Sequence, residues 1–473
     1  MSTFRSSEDE KPHLDEKAAN QFIEDVDQTD DSIIRERQSK FASGIDAAMY
    51  EEALEKYGED GSIDPETEKK LVRKIDRLLL PILGICYFFY YVDKTTLSYA
   101  AIFGIKKDLD LKPTEYSWLS SIFYFGWLIW AIPSNLIMQR SPPAYYLSFN
   151  IFMWGAVLML QAISKNFATL AALRVISGAF EAIADPAFML FTTMYYTRAE
   201  QPSRISIWYS FNGLGVGLGG LIGFAIGHIK GALQSWRYEF LIVGAVCAAW
   251  GISLSYTLSN SPTRHRWFTH DERLMMIARL KRNQTGIENR VIKWNQIREA
   301  FFDYKTWIFF SLGLIGNIPN GGISNFSTLV IKGLGFSTLE TSLMALPQGA
   351  LVMVFILTGA FLNDRLPKNS RTIVCMLFMI PTIAGGLGFL LAPEKAYVAR
   401  LICFQAPRYQ LGIGSLLVAN CLEFLIFLIL RFVFIYENKK KERAAAEAGV
   451  THEDITAFSD LTDKENPNFR YVY

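Results

Sequence analysis

Residues 205–227 read ISIWYSFNGLGVGLGGLIGFAIG. Within them Gly215, Gly217 and Gly220 match G-x-G-x-x-G, and Glu239 follows at the ~20-residue distance expected of a ribose-binding carboxylate. That pattern marks a dinucleotide site only where it joins a strand to a helix in a βαβ unit. No residue from Ile205 to Gly227 is charged, and the run exceeds the about 20 residues of helix that cross the hydrocarbon core of a bilayer. An open strand-turn-helix in lipid would leave backbone groups unpaired, so the segment is predicted to be helical throughout. Gly213 and Gly217, then Gly219, Gly223 and Gly227, fall four apart, which strips a helix face to bare backbone and lets a neighbouring helix approach closely. The glycines are read as a packing surface, and the match to the nucleotide fingerprint as accidental.

Outward from this run, apolar stretches recur at 78–103, 116–138, 144–163, 168–194, 205–227 and 236–258, then at 306–331, 341–362, 372–392 and 410–436. The pattern predicts an all-α membrane protein with six spans, a polar interval and four more. The chain is 51% hydrophobic and 14% aromatic, yet its net charge is only +1, because polar ends dilute the average. Residues 1–77 hold 21 acidic and 12 basic side chains and no apolar stretch long enough for a signal peptide, so they read as a disordered cytosolic tail. The predicted organisation is therefore a tail (1–77), a six-helix bundle (78–258), a solvated cytosolic connector (259–305), a second bundle (306–436) and a C-terminal tail (437–473). With both ends inside, cytosolic loops and flanks hold 25 basic residues against 10 outside, as the positive-inside rule requires. Cys86, Cys247, Cys375, Cys403 and Cys421 lie in or beside apolar segments without metal-ligand spacing and read as buried small hydrophobes. Neither a nucleophile constellation nor a metal cluster nor a nucleic-acid patch is legible, which disfavours an enzyme.

Charges inside spans are expensive and usually functional. Span four contains Arg174, Glu181 and Asp185, which with Gly178 repeat at steps of 4, 3 and 4 and so share one helix face. Span one contains Asp93 and Lys94. At 1.5 Å per residue the depths of Asp93 and Arg174 nearly coincide in a core about 30 Å thick, so an ion pair forms if the helices are neighbours. Glu181 and Asp185 sit close to the midplane, a placement that suits a proton carrier. In span seven, Asn317-Ile-Pro319-Asn320-Gly321-Gly322 is expected to weaken the helix at mid-membrane and offer amides to a cavity. A kink with satisfied amides, and a purely structural Asp93–Arg174 pair, are the alternatives.

Six spans, a long central loop and a second bundle resemble the major facilitator superfamily, as does Gly359-Ala-Phe-Leu-Asn363-Asp364-Arg365 followed by Arg371. Closer still, Tyr91-Val-Asp93-Lys94, Asn212-Gly213-Leu-Gly215, Asn317-Ile-Pro-Asn320-Gly-Gly322 and the tail Phe458-Ser-Asp-Leu-Thr-Asp463 through Arg470-Tyr471 resemble the fungal allantoate permease family of anion:cation symporters. The resemblance implies a plasma-membrane secondary transporter, monomeric, that imports a small organic anion with protons by alternating access and uses no cofactor beyond the proton gradient. It also implies roles: Arg174, Asn212, Asn317 and Asn320 for substrate; Asp93, Glu181 and Asp185 for protons; Asp364, Arg365 and Arg371 for a gating loop.

Two residues depart from the family pattern: Ala131 stands where an acid is common, and Asp185 where a small neutral residue is usual. A larger departure lies at Phe404–Gln405. There the start of span ten runs directly into the lead-in to span twelve, so about ten spans (6 + 4) are expected instead of twelve, with spans ten and eleven absent. Metabolite efflux, or a non-transporting sensor or degenerate product, are the competing functional expectations.

Overall fold

The computed structural model describes residues 45–58, 63–229, 231–282, 294–333, 335–391, 410–448 and 470–472. Every regular element among them is a helix. The described chain opens with α1 (Ile45–Tyr57) and α2 (Pro65–Ile102). A first bundle is completed by α3 (Pro113–Arg140), α4 (Pro143–Gln161), α5 (Phe167–Glu181), α6 (Ala184–Tyr195), α7 (Gln201–Tyr209), α8 (Phe211–Gly227) and α9 (Ser235–Thr257). Between the bundles lie α10 (His270–Arg282) and α11 (Trp294–Phe302). The second comprises α12 (Tyr304–Gly333), α13 (Thr338–Leu343), α14 (Ala345–Arg365), α15 (Arg371–Leu391) and α16 (Gln410–Ala448). Nine helical runs among the described residues are long and apolar enough to cross a membrane. They overlie nine of the ten predicted stretches, and the seventh, 306–331, falls within α12. The Phe404–Gln405 junction lies outside the described residues.

Proline decides where these helices break, and not as the sequence alone suggests. Span four is two helices, α5 and α6, joined by a turn at Ala182 and Ile183. Pro186 has no N–H to give the carbonyl of Ala182, so the ladder opens one turn upstream. The single face predicted for Arg174, Gly178, Glu181 and Asp185 is thereby interrupted, with Asp185 on the far side of the turn. Span eight divides in the same way at Met344, where Pro347 leaves the carbonyl of Leu343 without its helical donor. Span seven behaves oppositely. Despite Pro319, Gly321 and Gly322, the backbone of α12 is helical from Tyr304 to Gly333, which corrects the expectation of a weakened segment. Proline there removes one hydrogen bond, whereas unwinding several residues in lipid would leave many groups unpaired.

The glycine-rich helix α8 is packed on two sides. A Cβ at Gly213 would lie 2.3 Å from the carbonyl oxygen of Gly349 on α14, and one at Gly220 would lie 2.2 Å from that of Ser342 on α13. On the other side a Cβ at Gly215 would lie 2.6 Å from Tyr91 Cβ, and one at Gly219 3.0 Å from Thr95 Oγ1, both on α2. Packing is therefore the role of these glycines, and they serve two neighbours where the four-residue spacing suggested one. The seam joins the two halves of the molecule, and Lys332 adds a hydrogen bond at 3.3 Å to the carbonyl of Ile102 at the far end of α2.

The start of α2, α10 and the C-terminal end of α16 share one side, the tail face. Asp64 caps α2 by accepting from the backbone N–H of Thr67 at 2.9 Å, with Pro65 at the first helical position. At 38 residues α2 is about 57 Å long, so its first turns stand clear of a hydrocarbon core of about 30 Å. Residues 45–57 and 65–77, assigned by composition to a disordered tail, are helical. Likewise α10, expected to be a solvated connector, is docked. Leu274 and Ile277 pack on Met49 and Ala53 of α1, while Met275, Met276 and Ala278 join the core of the first bundle. Arg279, 1% exposed, donates from Nε to Glu68 at 2.8 Å and from Nη2 to both oxygens of Glu200 at 2.7 and 2.8 Å. Lys74–Glu272 and Lys56–Asp271 pairs, each at 2.6 Å, fasten the rim. Arg279→Ala would leave two carboxylates facing each other without their cation, a loss of about 3–5 kcal/mol for a broken buried pair. The expected result is faster amide hydrogen exchange across 270–282, with exchange in α4 and α9 unchanged.

At the chain's end Tyr471 is clamped between α12 and α16. Its ring stacks on Phe434 at 5.0 Å, Lys305 donates to its hydroxyl, and Asn438 exchanges two hydrogen bonds with its backbone at 2.8 and 2.9 Å. The tail motif thus has a local structural role. In the second half Cys375 and Cys421 are exposed, unlike buried Cys86 and Cys247, because few helices cover that side; Cys403 lies outside the described residues.

Candidate functional site

The chemistry-bearing residues gather inside the first bundle. Asp93 on α2 is 2% exposed, Arg174 and Glu181 on α5 are 3% and 1% exposed. The predicted Asp93–Arg174 contact is not made, since no hydrogen bond or ion pair within 4.0 Å joins them among the described residues. Asp93 Oδ2 accepts instead from the indole Nε1 of Trp154 on α4 at 3.0 Å. Arg174 donates from Nε to the carbonyl of Leu119 on α3 at 3.3 Å and lies over the Phe123 ring at 5.0 Å. The reason is topological: α5 packs on α3 and α4, whereas α2 packs on α7, α8, α9 and α12. Glu181 is nevertheless within electrostatic range of Lys94, Asp93, Asp185 and Arg174, so the five charges form one cluster. The Lys94 ammonium rests over the Tyr90 ring at 4.1 Å, and Tyr90 Oη lies 3.5 Å from Asp185 Oδ2.

Several buried polar atoms of this cluster have no hydrogen-bond partner in the protein: Asp93 Oδ1, Arg174 Nη1 and both carboxyl oxygens of Glu181. Leaving such groups unmade costs stability, which is a hallmark of sites kept for function. Aromatic side chains of Tyr87, Tyr90, Tyr91, Phe188 and Trp208 stack below and around them and exclude solvent.

The remaining predicted residues are dispersed. Asn212 is half-buried at the start of α8, beside the Gly213–Gly349 seam. Asn317 on α12 donates to the carbonyl of Gly313 at 2.8 Å, and α12 packs on α2, the helix that holds Asp93. The backbone of Asn320 lies in α12, and its side chain is outside the described residues. Asp364, Arg365 and Arg371 are exposed at the tail-face ends of α14 and α15; Arg365 stacks over Phe361 at 4.8 Å. Three residues escaped the sequence reading. Trp154 carried no charge to flag it. Glu239 is 1% exposed on α9 with Oε2 unpartnered, and in the sequence it stands out only through the accidental motif. Glu423 on α16 faces Gly316 of α12, where a Cβ would meet its Oε1 at 3.0 Å. A lone acid in the apolar run of α16 was the available signal.

Comparison with known proteins agrees with this architecture. The inward-facing, occupied structure of a bacterial homologue of the human lysosomal transporter Spinster aligns over 78% of this chain and 79% of its own, at 15% identity and a TM-score of 0.50, a likeness of fold alone. Two uncharacterized transporters of Schizosaccharomyces pombe are 34% and 32% identical, covering 90% and 98% of this chain and 90% and 99% of their own. The allantoate permease of Saccharomyces cerevisiae is 32% identical, covering 90% of both chains. In the most extensive of these alignments, 98% of 473 residues is about 464, so about 55 of its 519 positions have no counterpart here. By the same arithmetic the allantoate permease alignment, 492 positions against about 426 residues, has about 66. The Major Facilitator Superfamily model matches residues 83–446, so, in keeping with its two helical bundles and buried charge cluster, this chain belongs to that superfamily of transporters and is related to the fungal allantoate permease.

Proposed function

We propose that this fold is built for proton-coupled uptake of a small organic anion across the plasma membrane, with the tail face cytosolic. The observation that carries the reading is the buried cluster itself. Three carboxyls, Asp93, Glu181 and Asp185, share a space with two cations, Lys94 and Arg174, in which Asp93, Arg174 and Glu181 are fully buried and Lys94 and Asp185 half-buried. One proton cancels the excess of acid over base, and a bound carboxylate restores the need for it, which couples the two ligands through charge alone. Arg174 Nη1 is available to an anion, and the planar guanidinium suits a carboxylate better than a point charge. Asn212, Asn317 and Asn320 supply polar contacts, and Asp364, Arg365 and Arg371 act in the gating loop. Relationship to a permease named for allantoate supports a small carboxylated nitrogen compound as the substrate class.

In a twelve-span version, Arg174→Ala is expected to lower uptake by about a hundredfold or more, the usual scale for truncating a buried charge partner, while leaving membrane insertion normal. Arg174→Lys should recover little. Wild-type uptake in the alanine variant, measured with a panel of radiolabelled small carboxylates, would remove Arg174 from the site. Glu181→Gln keeps shape and loses the proton, so accumulation against a gradient should vanish while exchange of labelled for unlabelled substrate persists. Unchanged pH-driven accumulation would shift the role to Asp93 or Asp185.

A second reading concerns this particular chain: as written it does not transport, because spans ten and eleven are absent. Two spans with their connections need roughly 50–60 residues, and the total of alignment positions without a counterpart is of similar size. The second half is also thinly packed. The apolar windows of its runs Leu339–Arg365, Arg371–Gly388 and Ser415–Arg443 are 11%, 17% and 17% buried, against 61%, 56% and 50% for spans one, three and four.

A further inference from the structure

On the tail face, the segment 264–267 is flanked by two basic hollows. One, of about 360 Å³, is framed by the ends of α3, α4 and α9, with Arg140, Arg264 and Arg266 on its rim and no carboxylate in its wall among the described residues. The other, of about 510 Å³, is bordered by Lys70, Arg73, Lys74 and Arg77 around Trp267. Those four repeat at i, i+3, i+4 and i+7 and therefore share one face of α2.

The smaller hollow is a built cleft and not a scatter of surface charge. Arg266 is anchored by a 3.1 Å hydrogen bond from Nη2 to the carbonyl of Tyr256. Asn260 caps α4 by accepting from the N–H of Ala144 at 2.9 Å, which fixes the loop against the helix. His265 is buried behind it; burial, with Arg273, Arg266 and Lys74 nearby, pushes its pKa down to about 4. The positive potential near neutral pH thus comes from the arginines and is insensitive to pH. Hydroxyls of Ser141, Ser255, Thr257 and Ser259 line the rest.

What lies below the cleft identifies its ligand. Tyr145 and Tyr256, at its edge, are 57% and 65% exposed. One turn further into the bundle, on the same helix faces, Phe149 and Ile252 are 55% and 51% exposed. Aromatic residues at the interface with apolar side chains beneath them are the signature of a lipid-facing wall. A soluble anion would use the arginines and hydroxyls but not this wall.

We propose that the cleft binds an anionic phospholipid with a polyol headgroup, of the phosphatidylinositol type: its phosphates on Arg140, Arg264 and Arg266, its ring hydroxyls on the serine- and threonine-lined wall, and its acyl chains along Phe149 and Ile252. This rests on the reading that the tail face is cytosolic, where the leaflet is anionic and each basic residue near the surface is worth about 1 kcal/mol. Occupied, the site ties spans two, three and six to the segment that leads into α10.

The test is native mass spectrometry of the full chain released from phosphatidylcholine nanodiscs containing a minor fraction of phosphatidylinositol 4-phosphate. The wild-type chain is expected to retain the phosphoinositide in preference to phosphatidylcholine, and R140Q/R264Q/R266Q to lose that preference by about tenfold or more. R140K/R264K/R266K, which keeps the charge and loses the forked donors, should bind several-fold more weakly yet retain the preference. No preference in the wild-type chain, or an equal preference in the glutamine variant, overturns the proposal. Displacement of the lipid by millimolar inorganic phosphate overturns it as well and assigns the cleft to a free anion. Lipid retention is read without transport, so its failure is distinct from failure of the proposed uptake function.

Discussion

Gly349→Leu is expected to abolish recovery of folded protein, measured as the monodisperse peak in fluorescence-detected size-exclusion chromatography. A Cβ at Gly349 would lie 2.2 Å from the carbonyl oxygen of Gly213 and 2.6 Å from the amide nitrogen of Gly217. Both are backbone atoms of a packed helix, so α8 and α14 must separate by more than about 1 Å, forfeiting the dispersion contacts along the seam. Alanine at the same position already requires that movement, and leucine adds a branched side chain with nowhere to go; overpacking of this kind costs about 1–3 kcal/mol or more. The other junctions between the halves, α12 on α2 and α14 on α7, would have to absorb that displacement. Gly313→Ala and Gly385→Ala supply the contrast, because nothing lies within 4 Å of a Cβ at either position. Those substitutions should raise thermal stability slightly, by the about 0.5–1 kcal/mol that alanine gains over glycine in a helix. A wild-type peak for Gly349→Leu would show that the two halves are not joined at this seam.

Insertion of the corresponding 50–60 residues from one of the yeast relatives between Phe404 and Gln405 is expected to create pH-driven uptake where the chain as written has none. Tenth and eleventh spans would cover faces of α12, α14 and α16 that are exposed at Leu314, Phe355, Phe361, Leu425 and Phe432. Vesicles energised by an imposed pH gradient and offered a panel of small carboxylates including allantoate would show accumulation at least an order of magnitude above empty vesicles. Accumulation by the uninserted chain would refute the premise, and chemical cross-linking would then be expected to reveal a dimer in which a second copy closes the cavity.

The sequence by itself determined the membrane class, the helical state of every apolar stretch and the fact that charge is buried within them. Those follow from composition over windows of about 20 residues, because lipid admits only helices or closed barrels across its core. It also determined that Gly213 through Gly227 is a packing surface and not a phosphate cradle. What it could not determine was which surfaces meet. The seam at Gly349 needs a partner more than a hundred residues away in sequence, and the depth argument that paired Asp93 with Arg174 was silent on the helices in between. Trp154 takes the bond because its long indole reaches Asp93 from α4, and Glu181 and Asp185 stand on two helices because Pro186 opens the ladder between them. By composition the interval 259–305, which holds α10, reads as a solvated connector. Only the approach of Glu68 on α2 and Glu200 in the turn before α7 turned Arg279 into a buried keystone. Periodicity is a local property of the chain and fixes what each helix can bury; the partner that covers it is chosen by long-range packing, which only the tertiary structure decided.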